Sequence, residues 1–157
     1  MELLRDELLT GVRAEVAGDG ELGAAVRARL TALGAADRRG DVLVVDASAP
    51  PGDADGVRAA LDGAWDVLRP AATEAMIGHG GGLIVLLAPR AGDAHAAAAR
   101  AGLENLARTL SVEWARFQVR TVTVLPGATE AVTELVAYLA SPAGAYFSGC
   151  AFELGAA

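Results

Sequence analysis

The sequence predicts one α/β domain over residues 1–157, a parallel sheet of about five strands flanked by helices. Short apolar runs rich in Val, Ile and Leu alternate with longer segments of helical period, the pattern of strands joined by helical crossovers. Runs such as Leu83-Ile84-Val85-Leu86-Leu87 are apolar without interruption, as strands covered by helices on both faces require. A length of 157 residues with 53% apolar content suits a single sizeable core.

The clear strands are Val42 to Val45, Leu83 to Leu87 and Thr121 to Leu125, with a weaker one at Cys150 to Leu154 and a fainter one at Val12 to Ala17. The first helix carries the stripe Leu22, Ala25, Val26, Leu30 and Leu33. The second carries Val57, Leu61, Ala64, Leu68, Ala72 and Met76, with Pro70 removing a backbone donor and bending it. A third helix spans about Ala94 to Phe117, with Leu103, Leu106, Leu110 and Trp114 facing the core. The last, Glu130 to Leu139, follows Pro126-Gly127 and ends before Ser141-Pro142. Turns such as Ala49-Pro50-Pro51-Gly52 and Gly80-Gly81-Gly82 connect these elements.

All 13 basic residues are Arg, and 20 acidic residues bring the net charge to −7, which argues against nucleic acid and anionic membranes as partners. A mean hydropathy of +0.35 reflects many small Ala residues beside Leu and Val. It leaves two readings: apolar surface that meets another subunit, or an Ala-rich core. No apolar run reaches the roughly 18 to 20 residues of a membrane span. The opening Met-Glu-Leu-Leu-Arg-Asp lacks the order of a secretion signal. The single Cys150 permits no internal disulfide. The expectation is a cytoplasmic protein.

Residues able to carry chemistry are few. Gly18-Asp19-Gly20-Glu21-Leu22-Gly23 stands between a strand and a helix, where Gly18, Gly20 and Gly23 could let a backbone turn cradle a pyrophosphate. Asp19 and Glu21 bring the wrong charge for a phosphate, so the preferred reading is a turn that packs helix on strand. The absence of Lys excludes a phosphate loop ending in Gly-Lys-Ser/Thr and a Schiff-base lysine. His79, in a glycine turn, and His95, near a helix start, have no Cys pair or His-Glu-x-x-His helix to make a metal set and read as solvated loop residues. Cys150 reads as a small buried hydrophobe. None of Ser48, Ser111, Ser141 and Ser148 lies in a nucleophile elbow.

Longer stretches carry a family resemblance. Arg100-Ala-Gly-Leu-Glu-Asn-Leu-Ala-Arg-Thr-Leu-Ser-Val-Glu-Trp-Ala115, followed by Val119-Arg-Thr-Val-Thr-Val-Leu-Pro-Gly127, resembles the long central helix and sixth strand of the short-chain dehydrogenase/reductase family. Tyr138-Leu-Ala-Ser-Pro-Ala-Gly-Ala-Tyr-Phe-Ser-Gly149 resembles its last helix and the entry to its last strand. Asp41-Val-Leu-Val44 resembles the run before its Asn-Asn-Ala-Gly turn, and Gly82-Leu-Ile-Val85 its fifth strand. Leu9 to Ala35 resembles its opening strand, glycine turn and helix more weakly. The resemblance implies a shortened Rossmann-type sheet.

That family moves hydride between a nicotinamide and a carbonyl or alcohol, using a Tyr as acid/base, a Lys, a Ser and an Asn. Aligned through Leu103-Glu104, the Tyr position holds Ala96 and the Lys position Arg100; the Ser position falls at Ala88 or Pro89 and the Asn near Leu61. Ala moves no proton, and Arg is not deprotonated. The Asn-Asn-Ala-Gly turn reads Val45-Asp46-Ala47-Ser48, and Glu21 stands where a further glycine is expected. The short span between Ala35 and Asp41 leaves no room for the family's second and third strands, and Pro126-Gly127 leads into Thr129-Glu130 without a substrate lid.

What remains is the material of assembly, since the resemblance implies that the central helices meet between subunits. Ala98, Gly102, Asn105, Thr109 and Val112 lie opposite the would-be catalytic face and suit such a contact; the other reading is an exposed Ala-rich helix face. Glu104 and Arg108 form an i, i+4 pair. The expected function is a non-catalytic, short-chain-dehydrogenase-like subunit forming homo- or hetero-oligomers with a full-length, catalytically active relative. No cofactor is expected, NAD or NADP entering only if a partner supplies the site. The alternatives are a divergent oxidoreductase using Asp46, His95 and Arg100, or a small-molecule or acyl-group binding protein using the residual cleft.

Overall fold

In a computed structural model describing residues 4–155, the chain runs β1 (Arg13–Ala17), α1 (Glu21–Ala32), β2 (Ala36–Asp37), β3 (Val42–Asp46) and α2 (Ala54–Ala71). It continues through β4 (Gly82–Leu87), α3 (Ala94–Glu113), β5 (Val119–Leu125), α4 (Thr129–Ala140) and β6 (Ala151–Glu153). The strands form one parallel sheet in the order β2-β1-β3-β4-β5-β6. The first three residues and the last two, which the one-domain reading includes, lie outside the described residues. So does the start of the opening Met-Glu-Leu-Leu-Arg-Asp run.

Strand alternation divides the apolar runs between two cores. Val42 and Val44 of β3, Leu83, Val85 and Leu87 of β4 and Val122 and Val124 of β5 pack beneath α1 and α4. Leu43 and Val45, Ile84 and Leu86, and Val119 and Leu125 pack on the opposite face beneath α2 and α3. Both faces are therefore dry, which is why the central strands read as unbroken apolar runs. Of the polar residues on β5, Thr121 and Thr123 are fully buried and bonded: their hydroxyls donate to the Ala107 and Leu103 carbonyls of α3 at 2.5 and 3.2 Å.

Three local features differ from the sequence expectation. The sheet has six strands rather than about five, because Ala36–Asp37 pairs with Arg13–Ala14 in the short span where no strand was expected. Two residues are too few to carry a periodicity. Second, the helix predicted through Met76 stays α-helical to Ala71, one residue beyond Pro70, and continues as a π-helical turn over Ala72–Met76. Third, α3 ends at Glu113 and is followed by a separate 3-10 turn, Ala115–Phe117, closed by the left-handed Gln118.

The start of the sheet is held by Asp41. Its carboxylate accepts from Arg13 Nη2 at 2.8 Å, Arg13 Nε at 3.1 Å and the Arg13 backbone N–H at 2.9 Å. Its own N–H bonds the Arg13 carbonyl, and its carbonyl receives the Leu83 N–H. The Arg13 hydrogen bonds hold the Asp41 carboxyl below its ordinary value of 3.8, and the Ala96 N–H does the same for Asp93, the cap of α3. A carboxyl lowered by folding stabilises above its unfolded-state value and loses that contribution as pH falls through the lower folded one. Urea unfolding across a pH series should therefore find Asp41→Asn less stable than the native chain at neutral pH, with the difference shrinking below about pH 4.

Candidate functional site

In an open parallel sheet, ligands meet the protein where the carboxyl ends of the strands adjoin the helix starts. Here β1 leads into the glycine turn, where Gly18 takes a left-handed φ of +113° that favours glycine. Gly20 is the N-cap of α1 and offers no side-chain acceptor to the orphan amides of the first turn. Asp46, the last residue of neighbouring β3, supplies it. Its Oδ2 accepts the Gly23 N–H at 2.8 Å, while Oδ1 takes the Ser48 N–H at 3.1 Å and the Ser48 hydroxyl at 2.5 Å. A Cβ at Gly23 would lie 2.6 Å from Oδ2, one at Gly18 2.9 Å from the Asp46 Cβ, and one at Gly20 would collide with the carboxylate. The three glycines are required here by Asp46 itself.

The turn borders a cleft of about 660 Å³ walled by the Ala49–Gly52 loop and the segment from Pro89 to Asp93. Asp19, Glu21, Asp46 and Asp93 line it against one cation, Arg90. That guanidinium is turned toward the β5–α4 loop, donating to the Gly127 carbonyl and to Thr129 Oγ1 at 3.0 Å. Ala96 borders the same cleft with a methyl group, and Pro89 offers no hydroxyl. These residues do not fit a dinucleotide: the Gly23 amide is already bonded to a carboxylate, and the surrounding charge repels phosphate.

Arg100 lines a different pocket, of about 500 Å³, with Glu153 and Pro126. It donates to the Pro89 carbonyl at 3.0 Å and to Glu153 Oε1 at 2.9 Å; its side chain is 14% exposed and that of Glu153 73%. Arg100 thus ties the start of α3 to the ends of β4 and β6. His95 lines neither space and lies 3.9 Å from Asp93. The sequence alternative that joined Asp46, His95 and Arg100 is not assembled: Asp46 belongs to the glycine turn and Arg100 to the β6 edge. His79 is exposed in its glycine turn, and burial pushes the half-buried Cys150 thiol up, away from nucleophile character. Among the described residues no three His, Cys, Asp or Glu side chains gather as a metal site needs.

On the opposite face of α3, Ala98, Asn105, Thr109 and Val112 are exposed, Val112 to 74%. Gly102 is instead half-buried under Leu61 of α2, whose methyl carbons a Cβ would approach to 2.8 Å, so its small size serves packing within the chain. Trp65 of α2 stacks on Trp114, rings 6.5 Å apart and 19° from parallel. Glu104 and Arg108 pair as expected, at 2.6 Å. Sequence reasoning missed the inward turn of Asp46 and the part played by Arg90 and Glu153. Asp46 at the end of an apolar strand, with three glycines upstream, was the one available signal.

No family model matches the chain, and no curated protein matches it in sequence. Solved structures do match. A hydroxysteroid dehydrogenase from Escherichia coli superposes with a TM-score of 0.80 at 16% identity over 96% of this chain and 98% of that one. A citronellol catabolism dehydrogenase from Pseudomonas aeruginosa reaches 0.82 at 21% identity, over 99% and 98%. BdcA, crystallised in complex with NADPH, gives 0.77 at 19% identity, over 95% and 96%. The chain has the fold of the short-chain dehydrogenases/reductases, and no helix among its described residues is long and apolar enough to cross a membrane.

The bonds of Arg100 predict a structural role. Replacing it with Ala should lower unfolding free energy by about 1–3 kcal/mol, through the lost charge-assisted bonds and the unpartnered Pro89 carbonyl. Replacement of the exposed Glu153 should cost about 1 kcal/mol or less. Urea titration of both variants measures the contrast.

Proposed function

We propose that this chain, built on the short-chain dehydrogenase/reductase fold, is a non-catalytic subunit that assembles with itself or with a catalytically active relative. What supports this reading is that Asp46 takes the glycine turn, Ala96, where the resemblance puts the acid/base residue, borders the cleft, and Arg100 is bonded to Pro89 and Glu153. The chain binds no nicotinamide cofactor of its own in this reading, and a partner's site does the chemistry. The exposed α3 face, with Val112, supports assembly, since small and apolar residues let helices approach closely. A reducing compartment such as the cytoplasm suits the lone thiol of Cys150. The net charge of −7 argues against nucleic acid and anionic membranes as partners. The 660 Å³ cleft favours a second reading, a small-molecule or acyl-group binding protein, for which a ligand-induced thermal shift is the test.

Native mass separates the two. The assembly reading expects a species heavier than the 15.9 kDa chain, alone or with a co-eluting dehydrogenase from the source cells. Thr109→Arg and Val112→Arg should weaken that association at least about tenfold by placing charge in the contact. A monodisperse monomer that recovers no partner contradicts it.

A further inference from the structure

We propose that Asp46 is the resident anion of the glycine turn: from the neighbouring strand its carboxylate takes the Gly23 amide at the start of α1 and closes the turn to phosphate by self-occupation. This goes beyond the assembly reading and stands whether or not the chain associates.

A helix N-terminus with unsatisfied amides and the positive end of its dipole attracts an anion. In α1 the N-cap is glycine, so the helix has no side-chain acceptor of its own. The acceptor comes instead from Asp46, two strand positions away in chain topology but adjacent in the sheet, where β1 pairs directly with β3. An ordinary N-cap needs one acceptor atom and tolerates a Cβ at every flanking position. Here all three glycines of the turn face Asp46: a Cβ at Gly20 or Gly23 would clash with its carboxylate, and one at Gly18 with its Cβ and backbone carbonyl. Ser48 pins the other oxygen with two bonds, fixing the carboxylate plane. The turn is thus shaped around an anion that the chain itself supplies, and Asp19 and Glu21 at its rim repel any other.

Removing the carboxylate should leave a nest for a small monoanion. In full-length Asp46→Ala the melting temperature falls relative to the native chain. Formate, compared with chloride at equal ionic strength, then raises it by about 3–6 °C at tenfold its Kd. Native protein shows no formate-specific gain. Asp46→Asn, which keeps an acceptor of the same length for the Gly23 N–H, loses less and gains nothing from formate. If Asp46→Ala is unfolded in chloride, folding recovered by formate supports the proposal and failure to recover overturns it. A folded Asp46→Ala without a formate-specific gain, or a gain equal to that of the native chain, also overturns it.

Discussion

Strand β3 is fastened by a carboxylate at each end, and the arrangement of the molecule depends on that double attachment. At its start Asp41 takes three hydrogen bonds from Arg13, aligning β1 beside β3 and, through its carbonyl, β4 beyond. At its finish Asp46 reaches into the glycine turn and caps α1. The four apolar residues between them, Val42 to Val45, set the register of the inner sheet, with Val42 beside Leu83 and Val44 beside Val85. A fold with only a two-residue strand outside β1 has little edge material to hold that register, so side-chain attachment at both ends supplements the ladder.

The same economy extends to the packing of the sheet. Packing requires apolar alternation and satisfied buried groups, and both are met: the central strands alternate between two dry cores, and the buried Thr121 and Thr123 hydroxyls bond to carbonyls of α3. Chemistry requires donors at particular points, and there the side chains have been turned to one another. Arg100 bridges Pro89 and Glu153, Arg90 reaches the β5–α4 loop, and Asp46 occupies the turn. These three side chains find their partners inside the chain, which stabilises the carboxyl-end edge of the sheet.

The strands and helices were legible because their signals are local. Two-faced burial writes an unbroken apolar run, and a helix on a sheet writes an i, i+3, i+7 stripe, as Leu103 and Leu110 do in α3. The two-residue β2 and the π turn after Pro70 leave no such trace, since their pairing is set by neighbours distant in sequence or by a missing donor. At the site, the charges of Asp19 and Glu21 were readable as opposing phosphate, and Ala96 and Arg100 as departures from the family pattern. The direction of the Asp46 side chain was not, because it depends on β1 and β3 lying side by side. Gly102 illustrates the converse: small size on a helix suits a subunit contact in sequence, whereas in three dimensions Leu61 covers it.

The central claim is that the glycine turn bordering the cleft is taken by the chain's own Asp46 carboxylate. Calorimetric titration of the native chain with NAD and NADP tests it most directly. The account predicts no binding heat and no thermal stabilisation with either dinucleotide at millimolar concentration. Saturable binding of either one to the isolated chain, at micromolar affinity, would contradict it.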